Sequence, residues 1–161
     1  MEDIRHKLRV LTRIAAALDG RGVTWAVGAS AMLYLRGLTD TFHDIDLMTA
    51  EEDADAAAET LSAMGERLVS EPSTQYRSRR FVQFRVEGVD IDLIAGFTVL
   101  DGDTPHCFPL NRVDALDHAA LDGQAIPLQS LETWRACYAL MGRPDRVRLI
   151  DDYLAGENGE V

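Results

Sequence analysis

The chain writes one five-residue pattern twice, HDIDL at residues 43–47 and VDIDL at residues 89–93. In an extended strand, alternate side chains point the same way, so Asp44 and Asp46 share one face, as do Asp90 and Asp92. The isoleucine between each pair faces a core. The fold must therefore contain a sheet with one buried and one polar face, on which two acidic pairs can converge. Unit charges about 4 Å apart at an effective dielectric near 20 repel by roughly 4 kcal/mol, so a cation belongs between them. Oxygen donors without a histidine or cysteine cluster favour Mg²⁺ or Mn²⁺ over zinc, and Mg²⁺ points to phosphates. One Asp-apolar-Asp strand is commonly just a solvated face; two, preceded by a small-residue turn, read as a site.

That turn is Gly28-Ala29-Ser30. Residues 23–27 read as a short strand running into it, and residues 31–35 as a buried helix stopping near Gly37. A strand, a tight turn and a helix aim free backbone N–H groups outward, where a phosphate can bind; the Ser30 hydroxyl adds a donor and small side chains permit approach. The same residues resemble a hydrolase elbow, but Met32 stands where that motif needs glycine, so ester hydrolysis is the weaker reading.

The remaining chain supplies a frame. Ile4, Leu8, Leu11, Ile14 and Leu18 recur at helical spacing. Thr49 is expected to cap a helix over residues 51–64, with Glu52, Asp53, Asp55 and Glu59 on its solvated face. Alternation from Arg80 to Val86, a Glu87-Gly88 turn and the second acidic segment predict an antiparallel hairpin. Arg77, Arg79, Arg80 and Arg85 cluster on its first strand, with Arg79 and Arg85 on one face as candidate phosphate contacts. Residues 106–110 and 124–128 read as short strands, Ser130 as the cap of a helix, and residues 145–154 as a last helix beyond the Gly142-Arg143-Pro144 break. The expectation is one α+β domain over residues 1–155, a mixed and partly antiparallel sheet flanked by helices, followed by a polar tail at 156–161.

Charge restricts the partners. Lys and Arg total 16 against 27 Asp and Glu, a formal net charge of -11, which argues against a grip on duplex nucleic acid or an anionic membrane. A small cationic acceptor fits better. Cys107 and Cys137 form neither a zinc ribbon nor a disulfide framework, so a reducing cytoplasm is expected. The first twenty residues are too charged for a signal peptide, and no apolar run approaches the roughly 20 residues that span a bilayer.

The sequence of an apolar residue, Gly28, a small residue, a gap, Asp44-Ile45-Asp46 and a later strand aspartate resembles the DNA polymerase beta-like nucleotidyltransferase superfamily. Among its members it looks like small bacterial enzymes that adenylylate lincosamide and aminoglycoside antibiotics. Residues 126–154 also look like the C-terminal helices of such enzymes. The resemblance implies the minimal nucleotidyltransferase fold and transfer of a nucleoside monophosphate from an NTP, with Mg²⁺ or Mn²⁺, to an acceptor hydroxyl. It places metal and catalytic roles on Asp44, Asp46 and a third carboxylate, for which Asp92 is preferred and Asp90 is the substitute. Gly28, Ala29, Ser30, Arg79 and Arg85 are the expected nucleotide contacts. Two departures stand out: Ala29 replaces the usual Gly or Ser, and Asp40 stands where relatives carry arginine. The alternative is a weakly catalytic or non-catalytic nucleotide-binding module, the antitoxin half of a paired system, so association with a partner protein or a second copy stays open.

Overall fold

The computed structural model describes residues 3–69, 75–114 and 116–159. Helix α1 (Ile4–Gly20) starts on Asp3, whose carboxylate accepts the Arg5 backbone N–H at 3.0 Å, and buries Val10, Leu11, Ile14 and Leu18. Strand β1 (Trp25–Gly28) leads straight into α2 (Ala29–Leu35), and β2 (Ile45–Thr49) carries the first acidic segment. A single 3₁₀ turn, Glu51–Asp53, precedes α3 (Ala54–Met64) and the short β3 (Glu66–Leu68). Next come β4 (Arg80–Val86), β5 (Val89–Ala95), β6 (Phe97–Asp101), β7 (Thr104–Phe108), β8 (Asp117–Leu121) and β9 (Gln124–Leu128). Helices α4 (Leu131–Leu140) and α5 (Pro144–Gly159) complete the order.

Seven strands form one sheet in the order β3-β4-β5-β2-β1-β9-β8, while β6 and β7 make a separate hairpin. The pairs β2–β5 and β1–β9 are parallel and the others antiparallel, so the α+β class and mixed sheet expected from the sequence are found. On the core side Ile45, Leu47, Ile91, Leu93, Val82 and Phe84 are buried. Helix α3 packs against β4 and β5, and α1 against β9. Glu87 and Gly88 both take positive φ, 50° and 83°, as a two-residue turn matched to strand twist demands. No described helix is long and apolar enough to cross a membrane.

Several local expectations change. Thr49 lies inside β2, its buried hydroxyl without a hydrogen-bond partner, and does not cap the helix. Asp53 is not a solvated residue: it is buried, accepts the Thr24 backbone N–H at 3.0 Å and pairs with Arg112 at 2.6 Å, which holds its carboxyl below the ordinary range. Strand β7 begins at Thr104, ahead of the expected span, and β3, β6 and β8 were not foreseen, β6 because the second acidic strand was expected to run on through Phe97. Helix α5 continues to Gly159, beyond the expected stop at Leu154. Ser130 does cap α4, accepting from the Thr133 backbone N–H at 3.1 Å.

Candidate active site

One rung of the sheet assembles the site. Gly28 of β1 lies opposite Asp46 of β2, Asp46 opposite Asp92 of β5, and Asp92 opposite Gln83 of β4. The parallel β2–β5 register therefore selects Asp92, not Asp90, as the neighbour of Asp46. Gln83 donates from Nε2 to an Asp92 oxygen at 3.1 Å, fixing that carboxylate from the far side. Asp90 is drawn the other way, into an ion pair with Arg85 at 2.9 Å.

Burial raises the Asp46 carboxyl well above its usual range, and the Asp92 charge, a hydrogen bond to Asp92 and the Asp44 charge push further in the same direction. Burial also raises Asp92, with hydrogen bonds from Gln83 and Asp46 opposing it. Both carboxyls of the facing pair are therefore raised, Asp46 the more strongly, because burial and a neighbouring carboxylate disfavour a second negative charge. Asp44 sits exposed just before β2 and is raised by burial of its carboxyl, then by Asp92 and Asp90. Lys7, the only lysine, reaches the same loop from α1: its Nζ donates to the Phe42 carbonyl at 2.8 Å and lies 5.4 Å from the Phe42 ring centroid. The donor chemistry suits a hard divalent cation, since the groups acting on Asp46 are themselves carboxylates. Among the described residues no three acidic, histidine or cysteine side chains are yet gathered closely enough to hold an ion.

The turn has a packing reason that the sequence did not disclose. A Cβ on Gly28 would stand 2.6 Å from Gln129 Oε1 and 2.7 Å from a ring carbon of Trp134. Those two side chains are joined by a hydrogen bond, Trp134 Nε1 donating to Gln129 at 2.7 Å. Glycine is required by this close approach whether or not a phosphate ever comes near. Ala29 opens α2 at φ 53°, a left-handed conformation that costs an alanine roughly 1–2 kcal/mol. Ser30 is half-buried on the first turn of α2.

A cavity of about 190 Å³ lies against the two central carboxylates. Asp46, Asp92 and Ala29 line it together with Phe81, Ile94, Phe97, Trp134, Tyr76, Met141 and Ser78, so most of its wall is apolar or aromatic. Tyr76, Phe97, Trp134 and Tyr138 follow one another at ring separations of 5.7, 5.4 and 5.4 Å, and the Arg143 guanidinium lies 6.0 Å from the Tyr138 ring. Burial and then Asp46 push the Tyr76 phenol up. The candidate arginines divide. Arg85 shares the acidic face but is tied to Asp90, while Arg79 lies outside β4 and pairs with Glu51 at 3.2 Å. Neither lines the cavity. Arg143, whose charge is felt by Tyr76 and Tyr138, was missed; the helix break Gly142-Arg143-Pro144 was its only sequence signal.

Comparison with known proteins agrees with this geometry. A nucleotidyltransferase from Thermotoga maritima, so described provisionally, superposes with a TM-score of 0.72 at 26% identity, covering 94% of each chain. The aminoglycoside enzyme ANT(2'')-Ia, solved with adenylyl-2''-tobramycin, gives a TM-score of 0.65 at 15% identity over 95% of this chain and 92% of its own. The lincosamide antibiotic adenylyltransferase LnuA, solved with lincomycin, gives 0.60 at 11% identity over 89% and 95%. These likenesses establish the nucleotidyltransferase fold. No curated protein sequence matches the chain. The aminoglycoside-2''-adenylyltransferase family profile matches residues 10–153, and with every strand of the sheet, α4 and most of α5 inside that match, the chain belongs to this family.

Proposed function

We propose that the protein transfers a nucleoside monophosphate from an NTP to a hydroxyl of a small-molecule acceptor of the antibiotic class. The observation that carries this reading is the rung Gly28–Asp46–Asp92–Gln83, which sets two facing carboxylates beside a strand-to-helix turn. Asp44, Asp46 and Asp92 would hold Mg²⁺ or Mn²⁺, with Asp44 turning in from the rim. Bound there, the ion supplies Lewis-acid stabilisation of charge on the phosphates. The chain's own part is positional and acid–base. The turn at Gly28, Ala29 and Ser30 receives the phosphates. Asp92, oriented by Gln83, accepts the acceptor's hydroxyl proton as its oxygen bonds to the α-phosphorus and pyrophosphate departs. Arg79 and Arg85 are candidates for closing over the phosphates after leaving Glu51 and Asp90. The cytoplasm, where NTPs are abundant, is the proposed compartment.

The test is a transfer assay with labelled NTPs and antibiotic, RNA and protein acceptors, reading pyrophosphate and modified acceptor together. Asp46→Asn and Asp92→Asn should abolish transfer. A wild-type protein whose melting temperature rises with Mg-NTP, yet which modifies none of these acceptors, would favour the nucleotide-binding module instead.

A further inference from the structure

We infer that Arg143, with Arg146 beside it, holds the outer phosphates of the nucleotide, those that leave as pyrophosphate. The inference rests on the transferase reading and adds the counter-charge that the acidic rung does not contain. Asp46 and Asp92 are the charged residues among those lining the central cavity, so a triphosphate drawn there needs positive charge from elsewhere in the chain. The joint between α4 and α5 supplies it. Gly142 takes φ 73° and its N–H donates to the Ala139 carbonyl at 3.3 Å, while the Arg143 N–H reaches back to the Tyr138 carbonyl at 2.9 Å. This glycine-dependent helix stop, followed at once by Pro144 opening α5, fixes the backbone from which Arg143 projects. Only the side chain is left to move.

Position favours the nucleotide. Met141, just before the joint, borders the same cavity of about 190 Å³ as Ala29 of the phosphate turn and the two carboxylates. The Arg143 guanidinium lies 6.0 Å from the Tyr138 ring, and its charge reaches the Tyr76 phenol on the cavity wall, as does that of Asp46. Arg146 acts on the Tyr138 phenol from the same joint.

Charge balance points the same way. Arg79 and Arg85 each have a carboxylate of their own, Glu51 at 3.2 Å and Asp90 at 2.9 Å. Arg143 and Arg146 share one, Asp145, at 3.3 Å and 4.0 Å, which leaves a positive charge over. Asp145 is exposed, so little is lost when a phosphate takes its place. An amine-bearing acceptor is repelled by such a pair of guanidiniums; a triphosphate matches it.

Calorimetry of the full chain with two probes, Mg-tripolyphosphate and AMP, tests this. The wild type should bind tripolyphosphate, and Arg143→Gln, which keeps part of the side chain's packing on Tyr138, should weaken that binding about tenfold. Arg143→Lys should recover part of the loss. AMP, which lacks the outer phosphates, should bind both variants as it binds the wild type. Asp145→Asn, by freeing both guanidiniums, should tighten tripolyphosphate binding, a gain that a purely structural role for Arg143 does not produce. No tripolyphosphate binding by the wild type, unchanged affinity in Arg143→Gln, an equal loss for AMP, or no gain in Asp145→Asn would overturn the inference. If tripolyphosphate binding follows the expected pattern while the wild type transfers nothing from any NTP, the transferase reading falls and the phosphate site stands. Undiminished transfer and NTP affinity in Arg143→Gln would leave that reading intact and remove the inference.

Discussion

Asp46 and Asp92 face each other across the parallel β2–β5 pair, in register, and burial raises both carboxyls above their ordinary range. Both carboxyls are raised in the folded chain, so the native state binds more protons than the unfolded one above the ordinary carboxylate range. Stability without metal must then fall as pH rises through that window and level off above the raised folded values. Asp46→Asn should flatten this slope and add on the order of 1 kcal/mol at neutral pH. Thermal melts from about pH 4 to about pH 8, in chelator, check this; a wild-type profile rising across the same range would contradict the raised carboxyls of the facing pair.

A second expectation separates the two aspartates of β5. Asp92→Asn should abolish transfer, because the residue opposite Asp46 loses its charge. Asp90→Asn should retain measurable turnover and free Arg85. Single-turnover kinetics of the two variants reverse this order only if the functional carboxylate is Asp90.

Ala29 gives a prediction about backbone strain. Ala29→Gly removes the Cβ from a left-handed residue, and after the added freedom of the unfolded chain is set against this, stability should rise by up to about 1 kcal/mol. Gly28→Ala should do the reverse, losing about 1–3 kcal/mol as the Trp134–Gln129 pair is forced aside. Urea unfolding of both variants tests the contrast.

Lys7 bears on Asp44 from a distance. Lys7→Met leaves the Phe42 carbonyl without its buried donor and should destabilise the fold by about 1–3 kcal/mol. Turnover should fall further than stability explains, because the loop leading into Asp44 loses its anchor. Measuring kcat well below the melting transition distinguishes the two effects.

How much of this was written in the sequence depends on how local the signal is. The acidic strands, the hairpin at Glu87-Gly88 and the Ser130 cap are short-range patterns, and all three were legible. Strand β8, DHAAL, has weak β-forming composition and lies at the sheet edge, so only its pairing with β9 defines it. Asp53 looked like a surface acid because its partner Arg112 is remote in sequence. Arg79 and Arg85 appeared equivalent by alternation, but β4 begins at Arg80 and leaves Arg79 to Glu51. The aromatic cavity was invisible because its walls come from β4, β5, β6 and α4, each of which reads simply as core.

The parallel pairing of β2 and β5 also dictates when the site can come into being. Between Asp46 and Asp92 the chain must make α3, travel out to the sheet edge as β3 and return through β4 before β5 docks. Closing that loop is entropically costly, and no fragment ending before β5 can contain the acidic rung. The nascent chain is thereby spared two apposed carboxylates until the sheet that tolerates their repulsion is in place.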